Sequence, residues 1–124
     1  MRETPYWTWH LITAVLILVF LSLHMVIMHL DGIAHFMNPA GAEATDWQNV
    51  VSRVQTLFFP VTYIVLLGAA LYHGLYGTRV LLLELSPKPA VGRLITASFW
   101  TIGVALFVLG AVANIVAHIK QAGG

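Results

Sequence analysis

The chain has 124 residues, of which 59% are hydrophobic and only 9% are charged, and its mean hydropathy is +0.83. Soluble domains carry about 25% charged residues, so this composition is typical of a membrane protein. The formal charge of +1 gives no indication of nucleic-acid binding, and the lack of cysteine excludes disulfides, thiol chemistry and cysteine-ligated iron–sulfur clusters in this chain.

Three segments contain no Asp, Glu, Lys or Arg: Leu11–Leu30, Leu57–Thr78 and Leu94–Ile119. Each reaches the roughly 20 residues that a helix needs to cross ~30 Å of hydrocarbon. The sequence therefore predicts an all-α membrane protein, a single membrane-anchor domain with transmembrane helices over approximately residues 8–31, 57–83 and 93–119. The first apolar segment is too long, and too far from a small-residue cleavage site, for a signal peptide, so we expect it to be retained.

The positive charges predict the orientation in the membrane. With three helices, the N-terminus and the second loop share one side, and the first loop and the C-terminus share the other. Four cations fall on the first side and two on the second: Arg2, Arg79, Lys88 and Arg93 against Arg53 and Lys120. The positive-inside rule therefore predicts a cytoplasmic N-terminus.

Two further patterns concern helices. In the outer loop, TDWQ fits a capping box with Thr45 as the N-cap and Gln48 at the third helical position. The apolar residues that follow at helical spacing predict a short amphipathic helix on the membrane surface. In the third apolar segment, small residues recur at intervals of seven, which predicts close approach of a neighbouring helix: Thr96, Gly103, Gly110 and Ala117.

His73 lies deep in the second apolar segment, within the stretch GAALYHGLYGTRV. Polar side chains in hydrocarbon are costly and usually mark a functional site. Ala69, Ala70 and Gly77 lie one helical turn away, which predicts a flat, open groove beside the imidazole. Because a neutral imidazole is a standard axial ligand of haem, we interpret His73 as a haem ligand in preference to a histidine bonded to a neighbouring helix.

Two other residues are candidates for haem binding. His24 lies in the first apolar segment on an otherwise apolar face. Arg79 lies about 9 Å beyond His73 along the helix axis. It could contact a haem propionate or extend to the lipid headgroups, and for Arg79 alone the second interpretation is favoured. The remaining four histidines are interpreted as interfacial side chains at the ends of the spans: His10, His29, His35 and His118.

Depth excludes one iron shared by His24 and His73. Counted from the outer ends of their helices, His24 lies about 8 Å deep and His73 about 22 Å deep. The two axial ligands of one iron must be nearly level, because each metal–imidazole bond is only about 2 Å long. If both histidines bind haem, they bind two different haems, and each haem needs a second histidine ligand from another place. Within this chain, only His118 is expected at the level of His24. The sequence thus predicts half of a hetero-oligomeric helix bundle.

The stretch HGLYGTRVLLLE resembles the second-helix signature of the small membrane-anchor subunit of succinate dehydrogenase and quinol:fumarate reductase, respiratory complex II. That signature has a haem-ligating histidine, a glycine four residues later, often an arginine two residues further, and an acidic residue eleven after the histidine. The matching residues here are His73, Gly77, Arg79 and Glu84. The stretch LHMVIMHL is similar to the first helix of the two-haem members, with His24 at the ligand position.

The resemblance implies an assembly and its cofactors. Two b haems would be shared with a second membrane-anchor subunit, that of His73 nearer the iron–sulfur subunit and that of His24 on the outer side. A flavoprotein with covalent FAD would complete the complex in a prokaryotic cytoplasmic membrane, and electrons would pass to or from quinone. Two haems in this family often accompany menaquinone, which favours menaquinone here. The chain would not be catalytic by itself.

One position departs from the family pattern. In many relatives a tyrosine that hydrogen-bonds the quinone follows the acidic residue, whereas Leu85 follows Glu84 here. Quinone would then bind mostly to the partner subunits or at another place.

Three alternatives to the complex II interpretation remain open. They are a cytochrome b subunit of a hydrogenase or formate dehydrogenase, a haem-free structural anchor, and a small channel or transporter. The first usually has more helices and more paired histidines in one chain. The last is disfavoured because no acidic or basic residue lies in the middle of a span.

Overall fold

Three long helices contain most of the residues that the structure describes. The structure is a computed structural model that describes residues 4–29, 48, 51, 55–85 and 88–123. The helices are α1 (Thr4–His29), α2 (Phe58–Leu85) and α3 (Pro89–Ala122). Each contains a span long and apolar enough to cross a membrane, and the described residues include no strand. The predicted all-α fold with three membrane helices is therefore confirmed.

The helices extend beyond the charge-free segments of the sequence. α3 begins at Pro89, whose fixed φ suits the first turn of a helix, directly after the extended residue Lys88. Arg93 thus lies inside α3, as Arg79 and Glu84 lie inside α2. Long charged side chains near a helix end can extend to the lipid headgroups. A helix can therefore be longer than the charge-free segment that crosses the hydrocarbon.

The outer-loop helix predicted from the capping box falls largely outside the described residues. Of this segment, Gln48, Val51 and Gln55 are described, and all three are helical. The side-chain amide of Gln55 donates a hydrogen bond to the backbone oxygen of Gln121 at 2.8 Å. The start of α2 is therefore tied to the end of α3, as an antiparallel pair of helices requires.

α2 is the central helix of the bundle. It packs against both α1 and α3, whereas α1 and α3 make no contact with each other over the described residues. Two of the predicted small residues on α3 allow the close approach: a Cβ added at Gly103 would lie 2.9 Å from the Leu75 side chain, and one at Gly110 would lie 2.5 Å from that of Leu67. A side chain at either glycine would require the facing leucine side chain to move.

Very little of the chain is shielded by the chain itself. Four of the described residues are buried: Thr13, Pro60, Ala69 and Tyr76. No described residue of α3 is buried. Large apolar side chains cover the outside of all three helices. This surface suits contact with lipid and with other membrane helices, since in water such a continuous apolar surface would aggregate.

Candidate functional site

His10 and His73 meet where α1 packs against α2. Their imidazole rings are stacked, with centroids 4.0 Å apart and planes only 2° from parallel. His10, interpreted from the sequence as an interfacial side chain, thus has a direct contact with His73 that the sequence did not predict. The two helices run in opposite directions, and their register brings His10 opposite His73. We call His10, His73 and Gly77 the inner level, because they lie toward the end of the bundle predicted to face the cytoplasm.

A hydrogen bond sets the tautomer of His73. Its Nδ1 lies 3.1 Å from the backbone oxygen of His10. A carbonyl oxygen can only accept, so Nδ1 carries the proton and donates it. In the neutral ring this leaves the lone pair on Nε2 to bind a metal. Metal-binding histidines typically hold their second ring nitrogen in such a bond, which also fixes the ring orientation.

The acceptor itself is held by a buried hydroxyl. Thr13 is 7% exposed. Its Oγ1 lies 2.9 Å from the backbone oxygen of His10 and 2.9 Å from that of Trp9. Thr13 thus satisfies its own hydroxyl within α1, as is usual for threonine in apolar helices, and keeps a polar atom beside the acceptor of His73.

Gly77 borders the ring of His10. A Cβ at Gly77 would lie 3.3 Å from Cε1 of His10, which is tighter than ordinary van der Waals contact. The space beside Gly77, predicted as an open groove for a porphyrin, thus holds the His10 ring. The ring of Tyr76 lies on the same imidazole, with centroids 5.2 Å apart. Direct contact between Gly77 and a haem stays a prediction.

One nitrogen at the inner level is left without a partner. Nδ1 of His10 is buried, and among the described residues no group forms a hydrogen bond with it. An unsatisfied buried polar atom costs about 1–3 kcal/mol. Such atoms in native proteins call for an explanation, and a polar group brought by another molecule is one. The inner level therefore fits a site that is completed from outside this chain.

His24 occupies a second level of the same interface. Its ring meets the edge of Tyr63, with centroids 5.8 Å apart and planes at 82°. Both rings line a small cavity together with Phe20 and Phe59. Tyr63 precedes His73 by ten residues on α2, about 15 Å along the axis. We call His24 and Tyr63 the outer level. Because His24 contacts Tyr63 while His73 contacts His10, the two histidines lie at different depths of the interface.

The other two predictions concern α3. His118, predicted at the level of His24, lies on α3, and no described residue of α1 has its Cα atom within 8 Å of one in α3; the level of His118 stays a prediction. Arg79 is directed toward α3: its Nε donates to Oγ1 of Thr96 at 3.0 Å, and its guanidinium carbon lies 5.9 Å from the centre of the Tyr76 ring. Contact of Arg79 with a haem propionate stays a prediction.

Comparison with protein families identifies the chain. The family model of the succinate dehydrogenase/fumarate reductase transmembrane subunit matches residues 3–113. Because this match covers most of the chain, the chain belongs to that family, as the resemblance in the sequence predicted. The family is the non-catalytic, cytochrome b-type membrane subunit of the complex. Searches of curated proteins and of solved structures gave no significant match.

Proposed function

We propose that this succinate dehydrogenase/fumarate reductase membrane subunit binds two b-type haems, one through His73 and one through His24. Each haem takes its second axial histidine from a partner anchor subunit. Bound haem supplies one-electron transfer within the low-dielectric bundle. The chain contributes the ligands, their orientation and the exclusion of water.

The hydrogen bond from Nδ1 of His73 to the backbone of His10 carries this proposal. It holds the imidazole as the tautomer whose Nε2 can bind iron, and a backbone acceptor cannot be removed by substitution of a side chain. Nδ1 of His10, which has no hydrogen-bond partner among the described residues, is a second support, because a group from another molecule could complete the same level. Gly77 supports the arrangement indirectly by admitting the His10 ring beside His73.

The predicted partners follow from the family and from the exposed surface. Membership in the family implies a complex with soluble subunits. We propose that these are an iron–sulfur subunit and an FAD flavoprotein docked at the cytoplasmic end, in a prokaryotic cytoplasmic membrane. The quinone is proposed to be menaquinone. Leu85, which replaces the family tyrosine, is 81% exposed and has no hydrogen-bonding group, so quinone recognition is left to other residues.

A haem-free anchor is the second candidate, and one observation favours it. His73 already has a hydrogen bond and a stacked ring within this chain, so it is satisfied without iron. In that case the inner level would serve only to hold α1 against α2.

The two candidates differ in haem content. The experiment is purification of the native complex through a tag on this chain, followed by a dithionite-reduced minus oxidised spectrum and protein quantification of each subunit. The proposed function expects two haems b per copy of this chain, together with a flavoprotein and an iron–sulfur protein. A complex with the soluble subunits and no haem would leave the structural anchor.

A further inference from the structure

A groove on α2 and α3 passes the depth of the inner level on another side of α2, and Tyr76, which contacts His10, is part of its lining. It encloses about 370 Å³ and reaches Tyr6 of α1. Its walls are almost entirely apolar, with Leu75, Val104 and Phe107 among them, and its polar groups include Arg79 and Thr96. We call this cavity the α2–α3 groove. Neither His24 nor His73 lines it.

The groove has the length of one leaflet of a bilayer. Along α2 it runs from Gly68 to Arg79, and along α3 from Thr96 to Phe107. Each stretch is eleven residue steps, about 16 Å at 1.5 Å per residue. The hydrocarbon core is ~30 Å thick, so the groove covers about half of it. A transmembrane helix of a partner subunit would need a contact surface along the whole thickness of the hydrocarbon core. A lipid acyl chain needs a contact surface along only half of that thickness.

Among the described residues that line the groove, Arg79 is the charged one, and it lies at one end. Arg79 donates through Nε to Thr96, and the Thr96 hydroxyl in turn donates to the backbone oxygen of Gly92 at 2.9 Å. The ring of Tyr76 lies beneath the guanidinium. These contacts hold the charge at the end of the groove nearer the α2–α3 turn, where Lys88 and Arg93 are also exposed.

We propose that the α2–α3 groove binds one anionic phospholipid, with an acyl chain along Leu75, Val104 and Phe107 and the phosphate at Arg79. A guanidinium binds phosphate oxygens in a charge-assisted geometry. Basic pockets between membrane helices on the cytoplasmic side bind anionic headgroups. Arg79 thereby serves a lipid phosphate instead of a haem propionate, and the site is independent of the haem proposal.

The test counts bound lipid on the intact complex. The complex is delipidated, incubated with phosphatidylglycerol or phosphatidylcholine of the same chain length, and examined by native mass spectrometry. Wild type is expected to retain phosphatidylglycerol about fivefold better, the worth of one cation near an anionic headgroup. Arg79→Gln should remove this preference, whereas Lys120→Gln, at the far end of α3, should keep it.

A second pair of variants tests the acyl chain. Val104 lines the groove and is 55% exposed, and Val112, 52% exposed, lies outside it. Val104→Phe should fill the groove and lower retention of both lipids, while Val112→Phe should not. Haem is quantified in every sample, and its content is expected to be unchanged in Lys120→Gln and in the two valine variants.

Any of four results would overturn the proposal. One is equal retention of the two lipids by wild type, and a second is a preference that survives Arg79→Gln. The third is loss of haem in Arg79→Gln, which would assign this residue to a propionate. The fourth is one-for-one displacement of the lipid by a short-chain quinone, which would make the groove a quinone site. Failure of the haem proposal alone would leave the lipid counts unchanged.

Discussion

The inner and outer levels hold their histidines in different ways. At the inner level, His73 is fixed by a hydrogen bond to a backbone oxygen and by a parallel imidazole 4.0 Å away. At the outer level, the His24 ring makes an edge contact with the Tyr63 ring. This contact fixes the position of the His24 ring but does not determine which ring nitrogen carries the proton. The difference teaches that this chain by itself fixes both the ring orientation and the tautomer of His73, whereas its described contacts fix only the ring position of His24.

Removal of each histidine should have the largest effect and would test whether the levels are independent. His73→Ala is expected to abolish one of two haems and His24→Ala the other, because each variant removes the imidazole proposed as the ligand of one haem only. The reduced-minus-oxidised spectrum of the purified complex gives the stoichiometry. His118→Ala is the control and should keep both haems. Loss of both haems in either single variant would break the comparison.

A larger side chain at Gly77 should disturb the inner level alone. In Gly77→Val, the added atoms would press on Cε1 of His10, and overpacking typically costs about 1–3 kcal/mol. We expect earlier thermal loss of the inner haem, followed by its absorbance during heating. Gly74→Val is the matched control, since a Cβ at Gly74 meets no atom of the described residues within 4 Å. Equal effects of the two variants would contradict the role given to Gly77.

The His10 ring should adjust the inner haem more gently. His10→Ala removes the stacked ring but keeps the backbone acceptor, so His73 should still bind. An aromatic pair is worth about 1 kcal/mol, so its loss shifts a one-electron midpoint potential by at most ~40 mV, the value reached when the contact stabilises one oxidation state only. Redox titration of the two haems measures this shift. His10→Phe should restore most of it, and a shift confined to the outer haem would refute the assignment of levels.

The smallest effect is expected at Tyr63. Tyr63→Leu removes the ring that meets His24, and because edge contacts are weak we expect the outer haem to shift by roughly 20 mV. Tyr63→Phe retains the ring and should leave the potential unchanged. The same redox titration gives both values. A shift as large as that of His10→Ala would show that the outer level is as firmly held as the inner one.

The sequence by itself determined the helices, the family and the candidate ligands. Long charge-free segments specify membrane helices because every backbone polar group in lipid must be bonded within the helix. His73 and His24 stood out because imidazoles are costly in hydrocarbon. The small residues Gly103 and Gly110 predicted close packing for the same kind of local reason, and both lie where α2 approaches α3.

Only the tertiary structure decided the partners of these residues. The register of antiparallel helices depends on how side chains of two segments fit together, and no local spacing specifies it. The sequence alone therefore indicated only a position at the membrane boundary for His10. The packing of α1 against α2 stacks its ring on that of His73 and places it beside Gly77. The hydrogen bond from Arg79 to Thr96 could not be predicted from the sequence for the same reason, because it depends on the position of α3 relative to α2.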